Sequence, residues 1–309
     1  MVTSCQQKTP KPTKWHKWQD TMTTGLIQIA CDQTFEPVID AQIAVFEAIY
    51  DKAGISPIYT DEVEAIQLLI DDSVRLAVTA RGFTENERAI LTNKKMIIRE
   101  LKIAVDAIAL IVNKENGESF IGIPTLKKIL TGEITEWKQI NPKSKLGKIS
   151  VMFDNTNSST VRYAIDSICR GQPLSERLYA QNNNQEVFEM AAQVPGSIGI
   201  IGVNWISNED DSTQLSFNDK IKVLAVSKYA SPDQYNSFLP FQYQVALNKY
   251  PMTRDVYILL TDPKSGLSSG FATFVTSDRG QRIVLKSGLV PAIGHIRIRE
   301  VNVRDENPY

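Results

Sequence analysis

The chain has 309 residues, more than one ordinary core absorbs, so two domains or one large one are expected. Lys and Arg (34) almost balance Asp and Glu (35), and both signs are spread along the chain, which argues against a nucleic-acid-binding surface and makes any anion site a local one. No apolar run is long enough to cross a bilayer, and the longest, Ile103 to Val112, is interrupted by Asp106.

The first residues, Val2-Thr3-Ser4-Cys5, resemble the end of a bacterial lipoprotein signal peptide, without the charged and apolar regions that come before such a cysteine. Cys5 is either a lipid-attachment site or a chance cysteine near a terminus. The polar stretch from Gln6 to Thr24, with Pro10 and Pro12, reads as a flexible tether. Gly25 to Cys31 is a predicted strand, Pro37 to Ala53 a helix, Pro57 to Tyr59 a strand, Asp61 to Asp71 a helix capped by Thr60, and Leu76 to Thr79 a strand. Glu85 to Asn93 is helical and Ile97 to Ile103 extended. This βαβ series predicts an α/β sheet, whose ligands bind beyond the C-terminal strand ends.

The second half begins with an apolar strand, Ala104 to Asn113, followed by a helix from Pro124 that stops at Gly132. Ile149 to Phe153 is β-branched and alternating, Asp154 to Asn157 is turn chemistry, and helical spacing sets in at Val161. Ser158, Ser159 and Thr160 therefore lie at a helix start, where unpaired N–H groups and hydroxyls converge. They form either an ordinary cap or one wall of an anion site. Further on, Glu186 to Ala192 is helical, Ile198 to Ile201 is a buried strand, Tyr250 to Leu260 a strand, and Phe271 to Val275 and Arg279 to Lys286 are helices. Thr34 and Phe35 at the first strand end, and Thr79 and Arg81 at the third, add polar groups to the same rim, which favours a binding cleft over a set of unrelated caps.

Cys31 and Cys169 sit in apolar periodic segments and are expected as separate buried residues. With only His16 and His295 present and no cysteine spacing that suits zinc, neither a metal site nor a His-dependent triad is expected, and no cofactor is implied. Without a metal cluster or an activated nucleophile, the chain does not read as an enzyme.

An ordered set of segments resembles the substrate-binding proteins of phosphate ABC transporters, the PstS-like family. They are the Thr34-Phe35 turn, NKENGESFIGIPTLKKILTGEITEW (113–137), the Ser158-Ser159-Thr160 helix start, PGSIGII (195–201), YPMTR (250–254) and FVTSDRGQRIVLKSGLVP (274–291). The resemblance implies a two-lobed type II periplasmic-binding fold. Lobe one comprises 25–103 with 250–303, lobe two 104–249, and 304–309 form a tail. The crossover strands are Ala104 to Val112 and Tyr250 to Leu260.

The resemblance also implies capture of inorganic phosphate for an ABC-transporter permease by an extracytoplasmic monomer that meets the membrane only through a lipid anchor. The alternatives are a binder of another tetrahedral oxyanion and a sensor coupled to no permease. The family's Thr-Phe pair matches Thr34 and Phe35, its Ser-Gly-Thr matches Ser158, Ser159 and Thr160, and its serine at the third strand end matches Thr79. The acidic residue that follows that serine in the family is Ala80 here, and the arginine ahead of the triplet is Asp154. Thr60-Asp61-Glu62 departs too far from the family's Gly-Ser-Gly to carry a contact. Arg81 or Arg162 is left to supply positive charge. Asp154 either accepts a proton that phosphate retains or simply makes a turn.

Overall fold

The computed structural model describes residues 19–207 and 216–294. Cys5, His16, His295 and the tail lie outside the described residues, as does most of the tether.

The first half alternates as expected: β1 (Gly25–Asp32), α1 (Glu36–Ile49), β2 (Ala53–Thr60), α2 (Glu62–Ile70), β3 (Leu76–Thr79) and α3 (Glu85–Asn93). Strand β1 lies between β2 and β3 and is parallel to both. Helix α1 stops short of the expected Ala53. Tyr50 N–H closes its last turn on Phe46, and Ala53 and Gly54 instead pair beside Gly25 and Leu26, so sheet pairing overrides helical periodicity.

The two extended segments expected around Ile103 are one 14-residue strand, β4 (Arg99–Val112). After it come β5 (Phe120–Gly122), α4 (Ile123–Leu130), β6 (Ser150–Phe153), α5 (Ser159–Tyr163), β7 (Tyr179–Ala180), α6 (Asn184–Gln193) and β8 (Ser197–Gly202). The chain then forms β9 (Lys222–Val223), β10 (Ala225–Ser227), β11 (Ser237–Phe238) and α7 (Gln242–Ala246). It ends in β12 (Thr253–Leu260), α8 (Leu267–Thr276), α9 (Asp278–Lys286) and β13 (Val290–Pro291). The sheet order is β2-β1-β3-β12-β4-β8-β6-β7, with β9 and β13 also pairing β4.

Two lobes follow from how β4 divides its partners. Its first part pairs antiparallel with β12, and its last residues pair with β8 and β9. Ile103 and Ala104 belong to a core with Ile29, Phe35, Phe46, Val78 and Phe271, whereas Ala107 to Val112 belong to a second core with Leu126, Trp137, Phe153 and Ile200. The return strand divides the same way: Tyr250 and Met252 pack in the second core, Val256 and Ile258 in the first. Leu69, Leu91 and Leu259 fill the other face of the first lobe's sheet. Trp137, in the turn after α4, is buried and donates its indole N–H to Gly196 O at 3.0 Å. Cys31 and Cys169 are separate buried thiols.

Candidate functional site

The ends of β1, β3 and β6 meet the crossing pair β4 and β12. Asp32 ends β1, and its Oδ1 accepts the Thr34 N–H at 2.9 Å, which shapes the turn of Gln33, Thr34 and Phe35. Thr34 and Phe35 are both fully buried. On the facing lobe, Asn204 Nδ2 and Trp205 Nε1 donate to Thr34 O at 2.9 and 2.8 Å, so the lobes touch here directly.

The Ser158 triplet is partly a cap and partly something else. Ser158 is the N-cap and accepts the Val161 N–H at 3.2 Å. Ser159 and Thr160 open α5, which runs five residues and continues as a π-helix over Ala164–Ile168. Their hydroxyls instead meet a guanidinium: Arg254 Nη1 lies 2.8 Å from Ser159 Oγ and 3.4 Å from Thr160 Oγ1. Arg254 sits on β12 directly across from Asp106 on β4, and its Nε donates to Asp106 Oδ2 at 2.9 Å. The same guanidinium lies 5.1 Å above the Phe35 ring.

Arg254 therefore ties both lobes and both crossing strands to one point. Burial alone lowers its pKa, but Asp106 above all, with Asp32 and Glu62, holds it above its ordinary value and keeps it charged. Burial pushes the Asp106 and Asp154 carboxyls up, against the pull of Arg254 on Asp106 and of the Ser158 hydroxyl on Asp154. Asp154 is fully buried, with one oxygen 3.4 Å from Asn184 Nδ2. Several buried polar atoms here have no hydrogen-bond partner among the described residues: Arg254 Nη2, Thr34 Oγ1, Asp32 Oδ2, Asp106 Oδ1, Asp154 Oδ1 and Asn204 Oδ1. Such atoms are costly to bury unless a polar ligand completes them.

The other two arginines lie at the rim. Arg81 forks onto Glu87 with two bonds of 2.8 Å, and Arg162 reaches across the lobes to Glu62 through Nε at 2.5 Å and Nη2 at 3.2 Å. Glu62 is buried at the first turn of α2 and also accepts the Ala80 N–H at 2.9 Å. The cap of that helix is Asp61, not the expected Thr60, because the extended Asp61 places its carboxylate on the Glu64 N–H at 2.9 Å. The Thr79 hydroxyl donates to Arg81 O at 2.8 Å and so shapes the rim.

Sequence reasoning missed Arg254, Asp32, Glu62 and Asp106 as site residues. The signal for one pair was present: a lone aspartate in an apolar strand needs a buried partner, and an arginine on the returning strand can supply it.

Gly202, at the end of β8, closes the floor. A Cβ there would come within 2.8 Å of Asn204 Oδ1 and 2.9 Å of Thr34 Cγ2. Gly202→Ala is expected to keep the fold and weaken anion binding by about tenfold, since a displacement of about 1 Å already costs that much or more. Titration calorimetry beside a thermal melt measures both.

A two-lobed α/β fold with a buried polar site between its lobes, entered from strand ends, defines a small-ligand binding protein of the type II periplasmic-binding class. The family profile described as a PBP superfamily domain matches residues 18–279, and the chain belongs to that superfamily, a binding protein and not an enzyme. It is 26% identical over 276 residues to the phosphate-binding protein PstS of Borreliella burgdorferi, an alignment that covers 86% of this chain and 89% of that protein. It is 21% identical over 253 residues to the Staphylococcus aureus phosphate-binding protein PstS, covering 80% of this chain and 73% of the relative. Among solved structures, a putative phosphate ABC transporter substrate-binding protein with bound phosphate from Clostridium perfringens superposes with a TM-score of 0.72 at 20% identity, covering 87% of this chain and 100% of that one. An ABC-type phosphate transport receptor from Vibrio cholerae gives 0.64 at 19% identity, covering 86% and 100%.

Proposed function

We propose that this chain captures inorganic phosphate between its lobes and delivers it to an ABC-transporter permease. The observation that carries the reading is Arg254: buried, charged, bonded to Ser159 and Thr160, with Nη2 left over for a ligand oxygen. We assign the unpartnered Thr34 hydroxyl and the Phe35 backbone to the same ligand from lobe one, and Ser158 caps the helix that carries the triplet. Arg254 supplies the ligand's charge partner, while Arg81 and Arg162, engaged by Glu87 and Glu62, shape the entrance. The lobe boundaries that fit the two cores fall just after Ala104 on the outgoing strand and just after Met252 on the returning one, close to the expected divisions at 103/104 and 249/250. The curated relatives named phosphate-binding proteins support the ligand class.

Asp154 is the acceptor for the proton that phosphate keeps at neutral pH. Sulfate brings no such proton and would leave a buried carboxylate facing an anion, a penalty of about 1–3 kcal/mol or more. The chain acts outside the cytoplasm as a monomer, tethered through a lipid at Cys5. Titration calorimetry with phosphate, sulfate, arsenate and molybdate tests the assignment: saturable one-to-one phosphate binding, with sulfate weaker by at least about tenfold, is expected. Asp154→Ala should bring the two anions close to parity, and an unchanged preference would remove Asp154 from the role. Delivery is tested with permease-containing vesicles, which should take up phosphate only when the chain is added.

A further inference from the structure

Carboxylates outnumber cations at the site. Asp32, Glu62, Asp106 and Asp154 are all buried there, against Arg81, Arg162 and Arg254, so with every group ionised the carboxylates are in excess. Asp106 is bonded to Arg254, Glu62 to Arg162 and the Ala80 N–H, and Asp154 faces Asn184. Asp32 shares with Asp106 and Asp154 one buried oxygen without a partner, and differs from them in that its other oxygen is held by a backbone N–H rather than by a side chain. It is completely buried, its Oδ1 is occupied by the Thr34 N–H, and its Oδ2 has no hydrogen-bond partner among the described residues.

We propose that Asp32 carries a proton in the loaded site and donates it from Oδ2 to the bound oxyanion, so that capture of a dianion takes up one proton from solvent. This rests on the oxyanion reading of the cleft. The proton adds to the Asp32 carboxylate, no bond of the anion breaks, and release of the anion returns the proton to water.

The surroundings of Asp32 favour this from each element packed against it. Glu62 of α2 and Asp154 beyond β6 repel its ionised form, Arg254 of β12 and the Ser159 hydroxyl of α5 oppose them, and Asp106 lies behind Arg254. On its own side, Glu36 and Asp40 of α1 add negative charge around the neighbouring Cys31. Burial first, then Glu62, pushes the Asp32 carboxyl up to about 6. A group raised in this way is already protonated below that value and must gain its proton above it. Dianion affinity is therefore level in acid and falls as pH rises through and beyond about 6.

The test is calorimetry of the full chain with phosphate at about pH 8, repeated in two buffers of different ionisation enthalpy, for wild type and Asp32→Asn. Asparagine keeps an oxygen for the Thr34 N–H and offers a permanent donor in place of the proton. Wild type should take up close to one proton per phosphate and lose up to about tenfold in dianion affinity per pH unit. Asp32→Asn should take up none and bind with no such slope. Wild type without uptake, or Asp32→Asn that still takes up one proton, overturns the proposal, the second result placing the proton on another group. If phosphate does not bind but sulfate does, the phosphate assignment fails, and uptake of one proton with sulfate that is absent in Asp32→Asn still supports the role of Asp32. Binding of neither phosphate, sulfate nor molybdate overturns both readings.

Discussion

Arg254→Ala abolishes measurable phosphate binding and lowers the melting temperature. Arg254 and Asp106 form an ion pair across adjacent strands, both buried, and the same guanidinium holds Ser159 and Thr160. Removing one partner of such a pair strands the other charge, at a cost of about 3–5 kcal/mol. The loss of binding comes from a different source, the disappearance of the guanidinium bonded to Ser159 and Thr160, and is expected to exceed about a hundredfold. The two effects separate in a double variant. Asp106→Asn added to Arg254→Ala should restore much of the stability, because no charge is then left unpaired, and should restore none of the binding. Arg254→Lys keeps a charge but loses the fork that serves Asp106 and Ser159 together, so an intermediate affinity is expected. Calorimetry and thermal melts report all three, and wild-type phosphate affinity in Arg254→Ala would place the anion elsewhere.

Glu62→Ala speeds release of the bound anion while leaving capture almost unchanged. Glu62 belongs to the first lobe and Arg162 to the second, and their bonds of 2.5 and 3.2 Å join the lobes at the rim. A contact made only when the lobes meet favours the closed state by its own strength, and the anion leaves through the open one. Arg162 is about one-third exposed (34%), so solvent screening reduces the pair well below the value of a buried one. At about 1–2 kcal/mol, release should accelerate by roughly 5–30-fold, less at high salt. Stopped-flow release into excess phosphate-scavenging reagent measures it. An unchanged rate would mean that the rim pair does not hold the lobes together.

Much of this fold was legible because its strands and helices carry strong periodic patterns. β1 and β3 with the helices after them, and β8, follow apolar spacing that a single sequence displays. The short strands β7, β9, β10 and β11 did not show, since two or three residues carry no period and exist only through pairing with neighbours. Ser158, Ser159 and Thr160 could be read as candidates from the strand–turn–helix grammar around them. Arg254 and Asp106 were harder. Each lies in a strand, far from the turn chemistry that marks a site, and they meet only because residues 148 positions apart become cross-strand partners. Glu62 hid behind an altered helix start, and Asp32 stands just past the end of the expected first strand. Its importance lies in an unpartnered oxygen, which no pattern of residue types reveals.

Phosphate capture is assigned to one location, the buried site of Arg254 and the Ser159 and Thr160 hydroxyls, with Thr34 from the facing lobe. A crystal structure of the chain grown with phosphate tests it most directly. A phosphate is expected between the lobes with an oxygen about 2.7–3.2 Å from Arg254 Nη2 and others within the same reach of the Thr34 and Ser159 groups. A phosphate bound at the rim on Arg81 or Arg162, with Arg254 Nη2 still unpartnered, would contradict it.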